Sequence, residues 1–162
     1  NIPAIVFVNP NAMPPASDAT QAPGDLATNY KQSLPLMDWS MLAESGLEIG
    51  AHTMDHCRLS DISSDPALLH VQVADCKVAI EKATGVPCPY FAWPYGTLND
   101  IDDVSMQAVM DAGYEANFGV YRTAITPGQT DLFRIPRHHF EPQWPTSHVR
   151  YFASGGYERE LD

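Results

Sequence analysis

The sequence contains no apolar run near the ~18 residues that a membrane-crossing helix requires. A spanning helix is therefore excluded from it. Cysteine is scarce: Cys57, Cys76 and Cys88 are the three present. Their number is odd and no CxxC pair occurs, which argues against a disulfide framework and a cysteine zinc site and leaves room for one disulfide. Basic side chains are few, nine against twenty acidic ones, for a formal charge of −11. Nucleic acid and anionic membranes need a basic face, so both are poor partners. A neutral or cationic substrate suits this charge, and so does simple solubility. Internal repeats and heptads are missing, which excludes solenoids and coiled coils. Asn1 to Val8 have neither a basic n-region nor a cleavage pattern, so they do not read as a signal peptide. They read as the lead-in to a buried strand. The expectation is a single domain over residues 1–162 that is incomplete at its N-terminus.

What is present suits a packed core. Apolar residues make up 44% of the 162 positions, too many for a disordered chain. Ile5 to Val8 reads as a strand bounded by Asn9-Pro10. Asn9 to Pro35 carries five prolines among small polar residues. It reads as a long irregular excursion, either functional or a disordered insertion. Asp38 is placed to cap a short helix ending at Ser45, with Trp39, Leu42 and Ala43 on one face and Gly46 as its stop. Leu47 to Ala51 reads as a strand. Asp65-Pro66 starts a helix in which Leu69, Val73, Cys76, Ile80 and Ala83 recur at helical spacing, stopped at Gly85. Tyr90 to Trp93 reads as a strand, and Ile101 to Ala112 as a helix with Val104, Ala108 and Met110 partly inward and Gly113 as its stop. Strands at Glu115–Val120 and Phe133–Arg137 and a helix at Ser147–Ala153 complete the series. Strands alternating with helices predict a parallel α/β sheet or barrel. In such folds chemistry gathers at the C-terminal ends of strands.

Three segments follow predicted strands and carry reactive side chains. His52 and His56 lie four residues apart in His-Thr-Met-Asp-His, a spacing that lets two imidazoles meet one cation. Thr53 occupies the place of the glutamate in a zincin HExxH motif, so that chemistry is not indicated. The bare pair also arises as capping or core histidines. Trp93-Pro94-Tyr95-Gly96 is a rigid turn that could aim the Tyr95 N–H into a cavity as an oxyanion donor. Trp93 and Tyr95 also offer flat faces suited to sugar rings. An ordinary structural turn has the same composition. In the third segment, Ile135, Arg137 and His139 share one face by strand alternation, and Arg134 and His138 the other. His70 and His148 fall on predicted helices and read as structural.

Together these segments resemble the polysaccharide deacetylases, the family-4 carbohydrate esterases with the NodB homology domain. Ile2 to Val8 is similar to that family's second strand, Leu47 to His56 to its histidine motif, and Phe91 to Gly96 to its third motif. The last of these, with Asp111 to Tyr114 and Phe133 to Arg137, is nearest the branch acting on poly-N-acetylglucosamine. The resemblance implies a distorted (β/α) barrel, here without its first βα unit. It implies a divalent metal, commonly zinc, held by His52, His56 and an aspartate. A second aspartate would be the base, and the Tyr95 N–H would hold the oxyanion. His139, or else His138, would protonate the leaving amine, and Arg137 would orient the base. Trp93, Pro94 and Tyr95 would line the substrate groove. The implied substrate is an acetylated polysaccharide such as poly-N-acetylglucosamine, chitin or peptidoglycan. The implied setting is secreted, periplasmic or cell-surface. The family's Thr-Phe-Asp-Asp-Gly motif does not occur in this sequence. A non-catalytic carbohydrate-binding relative, an amidohydrolase acting on a small cyclic amide, and a plain α/β domain therefore stand as alternatives.

Overall fold

A computed structural model describes residues 3–12, 39–140 and 143–154. Five strands form one parallel sheet: β1 (Ile5–Val8), β2 (Glu48–Ala51), β3 (Tyr90–Ala92), β4 (Ala116–Val120) and β5 (Ile135–Arg137). Their order in space is their order in sequence, as in a β/α barrel wall. The helices are α1 (Trp39–Glu44), α2 (Pro66–His70), α3 (Cys76–Thr84), α4 (Asp103–Asp111) and α5 (Thr146–Ala153). None is long and apolar enough to cross a membrane.

The register sorts the strand residues onto two faces. Val8 pairs with Ala51, Ala51 with Phe91, and Phe91 with Asn117. These side chains and Trp93 are buried with Leu69, Val73, Cys76 and Ile80 of the helical layer. This is the main core. The opposite face carries Phe7, Gly50, Tyr90, Phe118 and Arg137. Phe7 of β1 and Phe118 of β4 bring their rings within 5.5 Å. Flat strands three places apart would be separated by about 14 Å, so the sheet curls and this face becomes a barrel interior. The barrel is open between β1 and β5 among the described residues. Gly50 makes room for the curl, because a Cβ there would stand 2.5 Å from the Phe7 ring.

The Asp65 carboxylate caps α2, accepting from the Ala67 and Leu68 N–H groups at 3.1 and 3.0 Å, and Gly85 ends α3 at φ 72°. Between them lies a π-helical turn, Val71–Asp75. The Tyr114 hydroxyl donates to the Val73 carbonyl of this turn at 2.9 Å. The expected inward face of α4 holds for Ala108, which packs partly buried against the core, and is corrected for Val104 and Met110. Val104 is 58% exposed and Met110 is exposed too, while Ser105, Met106 and Val109 are buried. Asp102, not Ile101, sets the start: its carboxylate accepts from the Ser105 N–H at 2.8 Å and fixes the helix phase. Ala83 is likewise exposed. Cys76 and Cys88 are buried free thiols. The Asp38 cap, most of the Asn9–Pro35 excursion and Gly155-Gly156 lie outside the described residues.

Candidate active site at the strand ends

The loops after β2 and β3 leave the sheet side by side. His52 follows β2, and its N–H donates to the Val8 carbonyl of β1 at 3.0 Å. Its ring Nδ1 lies 2.5 Å from the Ala92 carbonyl at the end of β3. A carbonyl only accepts, so Nδ1 carries the proton and Nε2 keeps its lone pair. Burial, reinforced by the nearby His56 and Arg137 charges, lowers the His52 pKa to about 4 although the Ala92 hydrogen bond opposes the shift. The imidazole is thus neutral at pH 7, the form that ligates metals.

The chain then turns back on itself. Thr53 and His56 both take left-handed backbone, at φ 63° and 67°, a costly region for residues other than glycine. The surroundings hold the turn in place. The Asn9 side-chain amide donates to the His52 carbonyl and to that of Thr53 at 3.0 Å. The buried Gln72 accepts from the Met54 N–H at 3.1 Å. The Asn11 N–H donates to the Met54 carbonyl at 2.9 Å. The turn brings the His56 ring edge-on to the His52 ring, with centroids 4.9 Å apart.

Tyr95 supplies the third side of the site. It too is left-handed, at φ 65°. Thr53, His56 and Tyr95 are the non-glycine residues with positive φ among those described. The Tyr95 ring meets the His56 ring at 5.1 Å. Gly96 follows at φ 83° and is pressed against Val120. The Trp93 indole N–H donates to the Thr97 carbonyl at 2.8 Å, closing the turn from below.

His52, His56 and Tyr95 therefore come together, and Arg137 lies near enough to influence His52. Arg137 reaches across the interior with its guanidinium 5.0 Å from the Phe7 ring centre, while its Nε donates to the Gly119 carbonyl at 3.2 Å. Other expected site residues lie elsewhere. Trp93 and Pro94 are fully buried, so their rings are not open to a sugar; this corrects the expected groove lining. Tyr95 remains 52% exposed. The strand β5 ends at Arg137, so alternation does not extend to His139. That residue is exposed and edge-on to Trp144 at 5.8 Å. His138 packs edge-on against Phe140 and Phe152, at 4.6 and 4.1 Å. His70 lies 3.5 Å from Asp75, and His148 faces Trp144 at 6.1 Å.

His52 and His56 suit a divalent cation, since one nitrogen is held by the backbone and the two rings converge. Among the described residues no group of three His, Cys, Asp or Glu side chains converges on one point, so these two rings by themselves would not complete a ligand set. The Asp102-Asp103 pair, the one such dipeptide in the sequence, is a helix cap. Sequence reasoning did not single out Asn9, Gln72 or the pair Arg58 and Asp100, whose Nε and Oδ1 lie 2.8 Å apart. Each acts over a long sequence separation that leaves no local pattern.

Comparisons with known proteins bear on the family and the fold. The polysaccharide deacetylase family profile matches residues 1–117. No curated protein matches in sequence. Among solved structures, the BpsB deacetylase domain from Bordetella bronchiseptica superposes with a TM-score of 0.63 at 16% identity, over 84% of this chain and 60% of that one. A de-N-acetylase from Aggregatibacter actinomycetemcomitans gives 0.60 at 16% identity, over 93% and 64%. IcaB from Ammonifex degensii gives 0.52 at 20% identity, over 71% and 49%. The chain spans between 34% and 64% of the lengths of such relatives. The fold is that of their deacetylase domains, and the chain belongs to the polysaccharide deacetylase family.

Proposed function

We propose that this chain carries part of the active site of a metal-dependent deacetylase that hydrolyses N-acetyl or O-acetyl groups on a polysaccharide such as poly-N-acetylglucosamine, chitin or peptidoglycan. One observation carries the reading. The His52 Nδ1 proton is committed to the Ala92 carbonyl, which leaves Nε2 free beside the His56 ring. That tautomer presents a lone pair of the kind a metal ligand needs, next to a second imidazole.

His52 and His56 would hold the cation, zinc by our reading. Such an ion supplies Lewis-acid polarisation of the acetyl carbonyl and a nucleophile derived from water. Two histidines leave a third ligand and the general base to be provided by residues other than those of these two loops. The left-handed Tyr95 lifts its backbone N–H out of the strand ladder, where it would donate to the developing oxyanion. Arg137 carries a fixed positive charge in the interior and would orient the base. His139, with His138 as the second choice, would protonate the leaving amine. The exposed ring of Tyr95 is the remaining aromatic surface for a sugar at this turn. The acidic chain favours neutral or deacetylated, cationic glycan over anionic polymers. Such glycans are extracytoplasmic, and we place the protein there.

The test is acetate release by the full-length protein from oligomers of poly-N-acetylglucosamine and chitin and from peptidoglycan, with His52→Ala as the control. Release that depends on His52 is expected. Glycan binding without release would favour a non-catalytic carbohydrate-binding relative. Hydrolysis confined to small cyclic amides would overturn the polymer assignment.

A further inference from the structure

Outside the reacting groups, one side chain bridges the two loops that build the site. Arg58 lies at the end of the histidine loop. Its Nε donates to Asp100 Oδ1 at 2.8 Å, and Asp100 lies beyond the Tyr95 turn. The Asp100 side chain is 7% exposed. Its second oxygen accepts from the Thr97 N–H at 2.8 Å and from the Thr97 hydroxyl at 2.6 Å. A buried carboxylate held by three donors is a fixed anchor. Further hydrogen bonds run parallel to it: the Ser60 N–H to the Asp100 carbonyl at 3.2 Å, and the Ser60 hydroxyl to the Asn99 carbonyl at 3.0 Å.

From this anchor the Arg58 guanidinium lies over the Tyr95 ring, 4.7 Å from its centre. The Tyr95 ring in turn abuts His56 at 5.1 Å, and His56 abuts His52 at 4.9 Å. A half-exposed tyrosine has rotamer freedom to lose, and an imidazole on a left-handed residue needs lateral support. The stack supplies both. We propose that Arg58 is a positioning residue: anchored by Asp100, it clamps the Tyr95 ring against His56 and so sets how tightly the histidine pair holds a divalent cation. The cation part rests on the function proposed above. The clamp itself is a statement about the metal-free protein.

Arg58 acts through Tyr95. Lysine at this position would keep the charge for Asp100 but lose the planar face. Methionine would lose both and strand a buried carboxylate, so Arg58→Met is paired with Arg58→Met/Asp100→Asn, which removes that carboxylate. The probe is Co2+, titrated into metal-free full-length protein and followed by visible absorption. About a tenfold loss of Co2+ affinity is expected in Arg58→Met and in the double variant, with a smaller loss in Arg58→Lys. The double variant is expected to melt close to wild type before metal is added, a readout that separates positioning from folding. Affinity within twofold of wild type in a folded double variant would overturn the proposal.

The second readout needs no metal. The ring protons of His56 in the metal-free protein should shift on Arg58→Met and return toward wild type in Arg58→Lys. If wild-type protein takes up no Co2+, the metal reading falls and these signals alone judge the clamp. Unmoved signals would overturn it.

Discussion

The Arg137 guanidinium lies over the Phe7 ring at 5.0 Å, although the two residues sit on the opposite edge strands β5 and β1. Four strand steps across a flat sheet would be about 19 Å. The contact therefore measures the curl of the sheet, and it fixes a positive charge inside the barrel near His52. A double-mutant cycle with Phe7→Leu and Arg137→Met should give a coupling of about 1 kcal/mol in urea unfolding. Additive effects would mean that the two edges of the sheet are held by other contacts.

Metal uptake is expected to depend on both histidines. Elemental analysis of the full-length protein should find a divalent ion, and His52→Ala or His56→Ala should lower its affinity by at least 100-fold, since each removes a ligand of a small set. Unchanged metal content in either variant would remove that histidine from the proposed set.

Acid should weaken the metal-free protein through His52. Its folded pKa is about 4 against an ordinary value of 6.5. Between those values the unfolded chain binds more protons than the folded one, so stability rises with pH across this window. Below about pH 4 and above about pH 6.5 this group contributes no slope. The full span is on the order of 3 kcal/mol. Urea unfolding at pH 7 and pH 5 should show the loss in wild type and a smaller one in His52→Gln. Equal losses would assign the acid sensitivity to other groups.

Trp93 should behave as core. A Cβ on Gly119 would stand 2.2 Å from the indole, and Trp93 stacks beside Tyr121 with ring centres 6.4 Å apart. Trp93→Ala is expected to cost about 3–5 kcal/mol, and Gly119→Ala about 1–3 kcal/mol through overpacking. Tyr95→Ala should cost much less stability yet weaken glycan binding. A Trp93 variant of native stability with impaired glycan binding would restore the indole as a sugar platform.

Much of the fold was legible because its signals are local. Asp65-Pro66 and Gly85 mark the two ends of a helical stretch, and Ile5 to Val8 and Leu47 to Ala51 are short apolar runs closed by polar residues. The π turn was not legible, since Leu69, Val73, Cys76 and Ile80 keep the spacing of an ordinary helix. His52 and His56 stood out as a pair at a strand end, and the fold does bring them together beside Tyr95. Trp93 misled because alternation separates Ala92 from Trp93 without saying which face lines the barrel and which lies under the helices. The shared face expected for Arg137 and His139 did not form, because the strand stops at Arg137, two residues short of His139. Arg58 and Asp100 could not be paired in advance, since only the closeness of the two loops makes them neighbours.

Thr53 carries a further consequence. It is β-branched, left-handed and wholly buried, and its hydroxyl finds no hydrogen-bond partner among the described residues. Backbone and hydroxyl together amount to roughly 2–6 kcal/mol held in one residue. Glycine there would make a sturdier and slacker protein. Laboratory selection for heat tolerance alone should therefore gather changes at this position, and the survivors should turn over more slowly.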